Sequence, residues 1–267
     1  MSHLRAFWEK VSGTAYVILV LAAVVIIWEM ACRLLSIPPF ILPAPSASFE
    51  ELLSTPWYFV KQALFTLQMT AAGFALALII GSMLALAITY SRFLERTLYT
   101  LLVALNSVPK VALAPLFVIW LGTGAAPKVT VVLTIAIFPI VIDTVLGLRS
   151  ADPDLLSLAR AARASPLQVL MKIRLPSALP SMFAGMKVAI SLSLVGAIVG
   201  EFVAGDTGLG QTILLAQGMF QTPRMFVSII ILGVLGTVLF YSIDLLERLL
   251  IPWHISQRGQ HAATHGA

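Results

Sequence analysis

Five ionisable residues stand nearly alone inside long apolar runs of this chain: Glu29, Lys110, Asp143, Lys187 and Glu201. A charge placed there is costly and marks either a function or a pairing. Lys110 follows Pro109 in "NSVPKVALAPLFVIWLGTG", where Pro109 and Pro115 interrupt a helix. Interrupted helices at membrane depth line cavities. Pro109 and Lys110 are therefore pathway candidates, with Lys110 attracting an anionic solute; pairing with a carboxylate or snorkelling is the alternative. Asp143 lies toward the inner end of its run and suits a structural pair or helix contact, with a pathway role as the other reading. Glu201, in "GAIVGEFVAGDTGLGQTI", precedes the "GLG" of Gly208 to Gly210 and suits an interfacial place at the outer end of its run. Glu29 reads as interfacial too, and Lys187 as a lysine that snorkels from an inner helix end.

Catalytic chemistry is not suggested. Ser, His and Asp residues fall on different sides of the apolar runs, and His3, His254, His261 and His265 are all terminal. His261 and His265 have helical i, i+4 spacing but no further ligand nearby, so no metal site is expected. Cys32 is the only cysteine, which rules out an internal disulfide. There is no G-x-x-x-x-G-K-[ST], so the chain lacks a phosphate-cradling loop for ATP.

These residues sit in a chain of 267 residues that is 59% hydrophobic and 11% charged. Soluble domains carry about 25% charged residues. A helix needs about 20 apolar residues to cross a bilayer, and six stretches qualify: 14–35, 61–90, 98–121, 128–148, 178–204 and 225–250. The expected fold class is an all-α integral membrane protein. Residues 1–13 form a terminal segment, 14–250 one transmembrane domain with a loop at 149–177, and 251–267 a polar, disordered tail. In "AAGFALALIIGSMLALA", Gly73, Ala77 and Gly81 recur every four residues. Either that spacing lets helices approach closely in lipid, or small residues are simply common there.

Lysine and arginine orient the spans. With the N-terminus inside, inner segments hold eleven of the 17 basic residues, and outer loops and helix ends hold four: Arg33, Lys61, Lys128 and Arg224. Both termini then face the cytoplasm. The net charge of +5 forms no basic stripe with aromatics, so nucleic acid is not the partner; anionic lipid is.

One inner segment, "SLARAARASPLQVLMKIRLPSALP", holds Arg160, Arg163, Lys172 and Arg174 and no acid. It has helix grammar of its own. Asp152 and Ser165 are N-caps, each followed by a proline at the first helical position. Pro176 is expected to end the second helix. The result is two short helices with a tight turn near Arg163 and Ala164. Leu155, Leu156 and Leu158 give the first an apolar side fit for a membrane face or a partner's groove.

This segment resembles the inner-membrane permease of ABC importers, whose cytoplasmic pattern is E-A-A-x3-G-x9-I-x-L-P. Ser157, Leu158 and Ala159 stand at its first three letters, Arg163 at its Gly, and Ile173, Leu175 and Pro176 at its end. The spacing matches throughout, while the Glu and the Gly are replaced. The resemblance runs from "ILPAPSASFEELL" to the sixth stretch. The stretches Asn106 to Gly124 and Gly196 to Ile213 are similar to the subfamily importing nitrate, taurine and aliphatic sulfonates, whose relatives carry pyrimidine precursors of thiamine or riboflavin.

The resemblance implies a type I importer permease in a bacterial inner membrane. Those seven loop residues would dock on an ATP-hydrolysing subunit. ATP and magnesium would be used by that partner, with no cofactor, metal or catalytic residue in this chain. It implies two permease copies, a soluble binding protein outside, and a gate or subunit-contact role for Glu201. The alternative is an ion-gradient-driven secondary transporter, which calls for inverted repeats and an acid-lined ion site; neither is evident.

Overall fold

In lipid a backbone segment must satisfy its own hydrogen bonds, and the α-helix does so within one segment. The regular structure is accordingly helical throughout the described residues. A computed structural model describes residues 2–99, 101, 104, 106 and 108–252. The expected disordered tail, with His254, His261 and His265, lies almost wholly outside the described residues. The helices are α1 (Ser2–Leu34), α2 (Pro45–Ser54), α3 (Pro56–Tyr90), α4 (Ala114–Leu121), α5 (Ala125–Arg149), α6 (Pro153–Ala161), α7 (Leu175–Val203), α8 (Leu209–Gly218) and α9 (Thr222–Leu250).

Four helices among the described residues are long and apolar enough to cross a membrane: Pro56–Tyr90, Ala125–Arg149, Pro166–Val203 and Thr222–Leu250. They match the second, fourth, fifth and sixth expected stretches. The first stretch falls within α1. The third, 98–121, is not one continuous helix. Its described parts include a π-turn at Glu95–Tyr99, a 3₁₀ turn at Lys110–Leu113 and the eight-residue α4. Pro109 caps the 3₁₀ turn and Pro115 opens α4, so the prolines divide the stretch as their missing N–H groups require.

By internal contacts the chain forms two compact units. One comprises residues 1–60 and 212–231. Within it Glu29 bonds Arg33 at 2.6 Å and accepts from the Ser46 N–H at 3.0 Å. Arg224 pairs with Glu51 at 2.7 Å, and Trp28 packs on Phe226 with ring centroids 5.6 Å apart.

The other unit comprises residues 61–211 and 232–267 and holds the main apolar cluster. Phe74 and Ala77 of α3, Ala136 and Ile140 of α5, Phe183, Ala189 and Ile190 of α7, and Ile243 of α9 meet there. α5 and α7 lie antiparallel at near-backbone distance. A methyl group on Gly147 would fall 2.8 Å from the Ala178 carbonyl oxygen, one on Gly196 3.0 Å from Val132 Cα, and one on Gly200 2.9 Å from Lys128 Cα. Gly73 and Gly81 of α3 abut Val132 and Ile140 of α5, so the four-residue spacing does mark a close helix contact.

The segment 149–177 folds as its caps dictate. The Asp152 carboxylate accepts from the Asp154 N–H at 2.8 Å. Ser165 and Gln168 form a reciprocal capping box. Between them the Ala164 N–H reaches the Ala159 carbonyl at 2.9 Å and the Arg163 N–H reaches that of Arg160 at 3.0 Å. This is the Schellman pattern, which puts the residue after the C-cap in the left-handed region. That residue is Arg163, with φ of 51°, at the glycine position of the importer pattern. Pro176 does not end a helix. The one-turn helix Pro166–Val169 passes through a π-turn, Leu170–Arg174, directly into α7. Pro176 then sits in the first turn of α7, where a missing N–H is tolerated.

Two outcomes follow from this packing. Gly147→Leu drives a side chain into the α7 backbone and costs about 1–3 kcal/mol. Gly233→Ala meets open space and leaves stability unchanged or raised. Thermal unfolding of the detergent-purified protein separates the two. Arg163→Gly relieves about 1–2 kcal/mol of left-handed strain against about 0.5–1 kcal/mol of glycine backbone entropy. The loop is thus slightly stabilised, and amide exchange at the end of α6 slows.

Candidate functional site

Three levels of polar groups line α5 from one end to the other, and the capped segment with α6 lies beyond. At the N-terminal end Lys128, in the first turn of α5, is fully buried at 0% exposure. Its ammonium bonds Asp206 at 2.6 Å and lies 4.6 Å from the centre of the Phe65 ring. Asp206 is largely exposed, and the Lys128 ammonium holds its carboxyl below the usual range. Glu201, also 0% exposed, accepts from the Gly210 N–H at 2.7 Å. A side chain at Gly208, with φ of 114°, would collide with the Glu201 carboxylate, so that turn needs glycine. Gln62 accepts from the Gly208 N–H at 2.6 Å and Thr66 from the Leu209 N–H at 2.9 Å. The loop between α7 and α8 is therefore fastened by groups from α3, α5 and α7.

At the middle level Lys110 donates to the Asn106 side-chain oxygen at 2.6 Å and lies 5.3 Å from the Phe138 ring centre. Both line a cavity of about 130 Å³ with Thr134, Leu113 and Ile137. Pro109 positions Lys110 as the N-cap of the 3₁₀ turn. Asp143 sits at the level toward the C-terminal end of α5, with its carboxylate against Gly185. Asp143 and Lys128 are fifteen residues apart on α5, or about 22 Å. The pathway candidates Lys110, Asp143 and Glu201 thus belong to separate levels and do not converge.

Lys187 is not a snorkelling lysine. It is mostly buried and ion-paired to Asp244 and to Glu247, the latter at 2.5 Å, while Arg248 joins Asp244 at 2.7 Å. Sequence reasoning also missed Lys128, which it counted only among the basic residues of the outer loops and helix ends. A turn-by-turn count would have shown Lys128, Val132 and Ile135 on one helix face, but not the glycines of α7 that cover it.

Beyond the C-terminal end of α5, the loop offers an apolar surface. Leu155, Leu158, Leu167 and Met171 are exposed, Leu158 by 67%. Ala159 is 8% exposed and packed within the chain itself. Ser157 caps back onto the Pro153 carbonyl at 2.9 Å and accepts from Arg160 at 3.0 Å. Arg163 is exposed, whereas Ile173, Leu175 and Pro176 are half-buried where the loop enters the membrane helix. Of the seven loop residues, Leu158 and Arg163 are the most available to a partner.

Residues 77–252 match the family model described as the binding-protein-dependent transport system inner membrane component. The chain is 38% identical to the riboflavin transport system permease protein RibX of Chloroflexus aurantiacus, over 88% of this chain and 89% of that protein. It is 33% identical to the formylaminopyrimidine transport permease protein ThiX of Halalkalibacterium halodurans, over 87% and 93%. Identity to the putative aliphatic sulfonates transport permease protein SsuC of Bacillus subtilis is 30%, over 89% and 87%. Among solved structures, inward-facing MetNI methionine ABC transporter superposes with a TM-score of 0.65 at 21% identity, over 73% of this chain and 97% of that chain, and so shares the fold. A match over most of the apolar core, with relatives aligned nearly end to end, shows that the chain belongs to this family, the membrane-integral permease subunits of ABC importers that work with an ATPase and a substrate-binding protein.

Proposed function

We propose that two copies of this chain form the translocation pathway of an importer for a small solute, driven by ATP hydrolysis in a separate pair of subunits. The observation that carries the reading is the exposed apolar face of the loop between α5 and α7, joined without a break to a membrane helix. Leucines and a methionine exposed outside the apolar runs call for a protein partner. The 38 residues from Pro166 to Val203 span about 57 Å. A displacement at the loop is delivered along one rod to the level of Glu201 and Lys128.

In this reading Leu158 and Arg163 meet the ATPase, with Ser157 and Ala159 shaping the helix that presents them. Ile173, Leu175 and Pro176 couple the loop to α7. ATP and magnesium are bound and used by the partner. Both termini face the cytoplasm of a bacterial inner membrane, and a soluble binding protein delivers the solute from outside. The relatives named for riboflavin and formylaminopyrimidine transport favour a heterocyclic vitamin precursor; those named for sulfonates, nitrate and taurine support a small anion. Lys110, beside Asn106 and Thr134 in a lined cavity, serves either as a donor along the pathway.

Leu158→Asp places a carboxylate in the docking face, where desolvation costs several kcal/mol unless it is paired. The variant inserts and folds normally but no longer co-purifies with the ATPase, and transport is lost. Ala159→Asp is a poorer probe, because that position is buried within the chain and the loop itself would be disrupted. Wild-type recovery of the ATPase with Leu158→Asp would move the docking surface elsewhere. Lys110→Met removes a charged donor worth about 1.5–3 kcal/mol. Uptake in proteoliposomes containing ATPase and binding protein falls about tenfold or more, while subunit recovery is unchanged. Unaltered uptake would make Lys110 a structural partner of Asn106.

A further inference from the structure

A second cavity, of about 280 Å³, opens beside the outer end of α3, lined by Lys61, Gln62, Leu64, Phe65, Gln68 and Thr207. The α3 residues fall at helical intervals of three and four and so form one face. Lys61 and Gln68 are exposed on it, and neither has a hydrogen bond or ion pair among the described residues. Gln68 lies about 18 Å along the helix from Pro56. A glutamine and a lysine on one side of a membrane-crossing helix do not face acyl chains; they face water, a solute or protein.

The lining has a definite polarity. Lys61 offers only donors. The side-chain oxygen of Gln62 is committed to the Gly208 N–H, which leaves its amide N–H groups. The Thr207 hydroxyl donates to Asp206 at 3.2 Å and is left as an acceptor, and the Asp206 charge is matched by Lys128 at 2.6 Å. Lys61 is therefore the one uncompensated charge of the cavity wall, and the wall is donor-rich. Its volume equals about nine waters at about 30 Å³ each, enough for a single-ring or smaller solute.

We propose that this cavity is an outer seat of the translocation pathway, taking a small acceptor-rich solute, anionic or carbonyl-bearing, on Lys61, Gln62 and Gln68. The inference rests on the importer reading and its orientation. The wall it uses is held in place by the Lys128–Asp206 and Gln62–Gly208 contacts, so seat and outer loop form one structure.

The test needs no knowledge of the solute. Cys32 is the only cysteine, so a Cys32→Ala chain expressed with its partner subunits gives a thiol-free background. Gln68→Cys is placed in it and treated, in right-side-out vesicles, with membrane-impermeant thiosulfonates carrying a sulfonate or a quaternary ammonium. Gln68→Cys reacts from the outside. Relative to a free thiol, the anionic reagent gains about fivefold over the cationic one, and Lys61→Met abolishes that preference. Thr207→Cys shows the same pattern and serves if Gln68→Cys inserts poorly. A preference that Lys61→Met leaves unchanged overturns the seat. No reaction at either thiol also overturns it, and so does reaction only from the cytoplasmic side. ATPase co-purification and its loss in Leu158→Asp are measured independently, so failure of the seat does not entail failure of the importer reading.

Discussion

The close approach of α5 and α7 is the contact on which the rest of the second unit depends. Gly147, Gly185, Gly196 and Gly200 each stand where any larger residue would meet the neighbouring backbone or its first side-chain atoms. Lipid supplies no hydrophobic drive for two apolar helices to associate, so dispersion at short range and occasional polar bonds must hold them. The seam does both. It brings the backbones together, and at the α5 N-terminus it closes over Lys128 and Glu201, two ionisable side chains that lipid would not tolerate unpartnered. Lys128 is matched there by Asp206, and one oxygen of Glu201 accepts from the Gly210 N–H, so the segment from Asp206 to Gly210 is fixed in place.

The fold was largely legible in the sequence because its dominant constraint is hydropathy, which is local. The positions of α3, α5, α7 and α9 and the capped loop at Asp152 and Ser165 follow from composition and cap residues alone. The departures came where backbone geometry overrode a local rule. Pro176 reads as a stop, but the π-turn before it re-registers the backbone and lets the helix run on. Arg163 hides a left-handed turn that glycine would have announced.

The site was less legible, because charge partners are non-local. Lys128 and Asp206 are separated by 78 residues and Lys187 and Asp244 by 57. Each looks like an ordinary membrane-flanking charge until the helices are assembled. The opposite error also occurs. Lys110 and Asp143 look alike as lone charges in apolar runs, yet one has an amide partner, an aromatic face and a cavity, while the other presses on a glycine.

The π-turn at Leu170–Arg174 sets a phase relation between the two ends of the rod. An α-helix advances about 100° per residue, and a π-turn accommodates one more residue than an α-turn does. Leu167 would thus be misplaced by one residue's worth of rotation relative to Lys187 and Glu201 if positions were counted at α-helical spacing alone. Loss of a single residue between Leu170 and Arg174 would let the helix close as a regular α-helix with its two ends in nearly the same phase. Loss of a residue further along α7 would instead turn the exposed leucines about a quarter of a turn against Lys187 and Glu201. The π-turn is therefore the place in this rod where chain length can change without changing which faces point together.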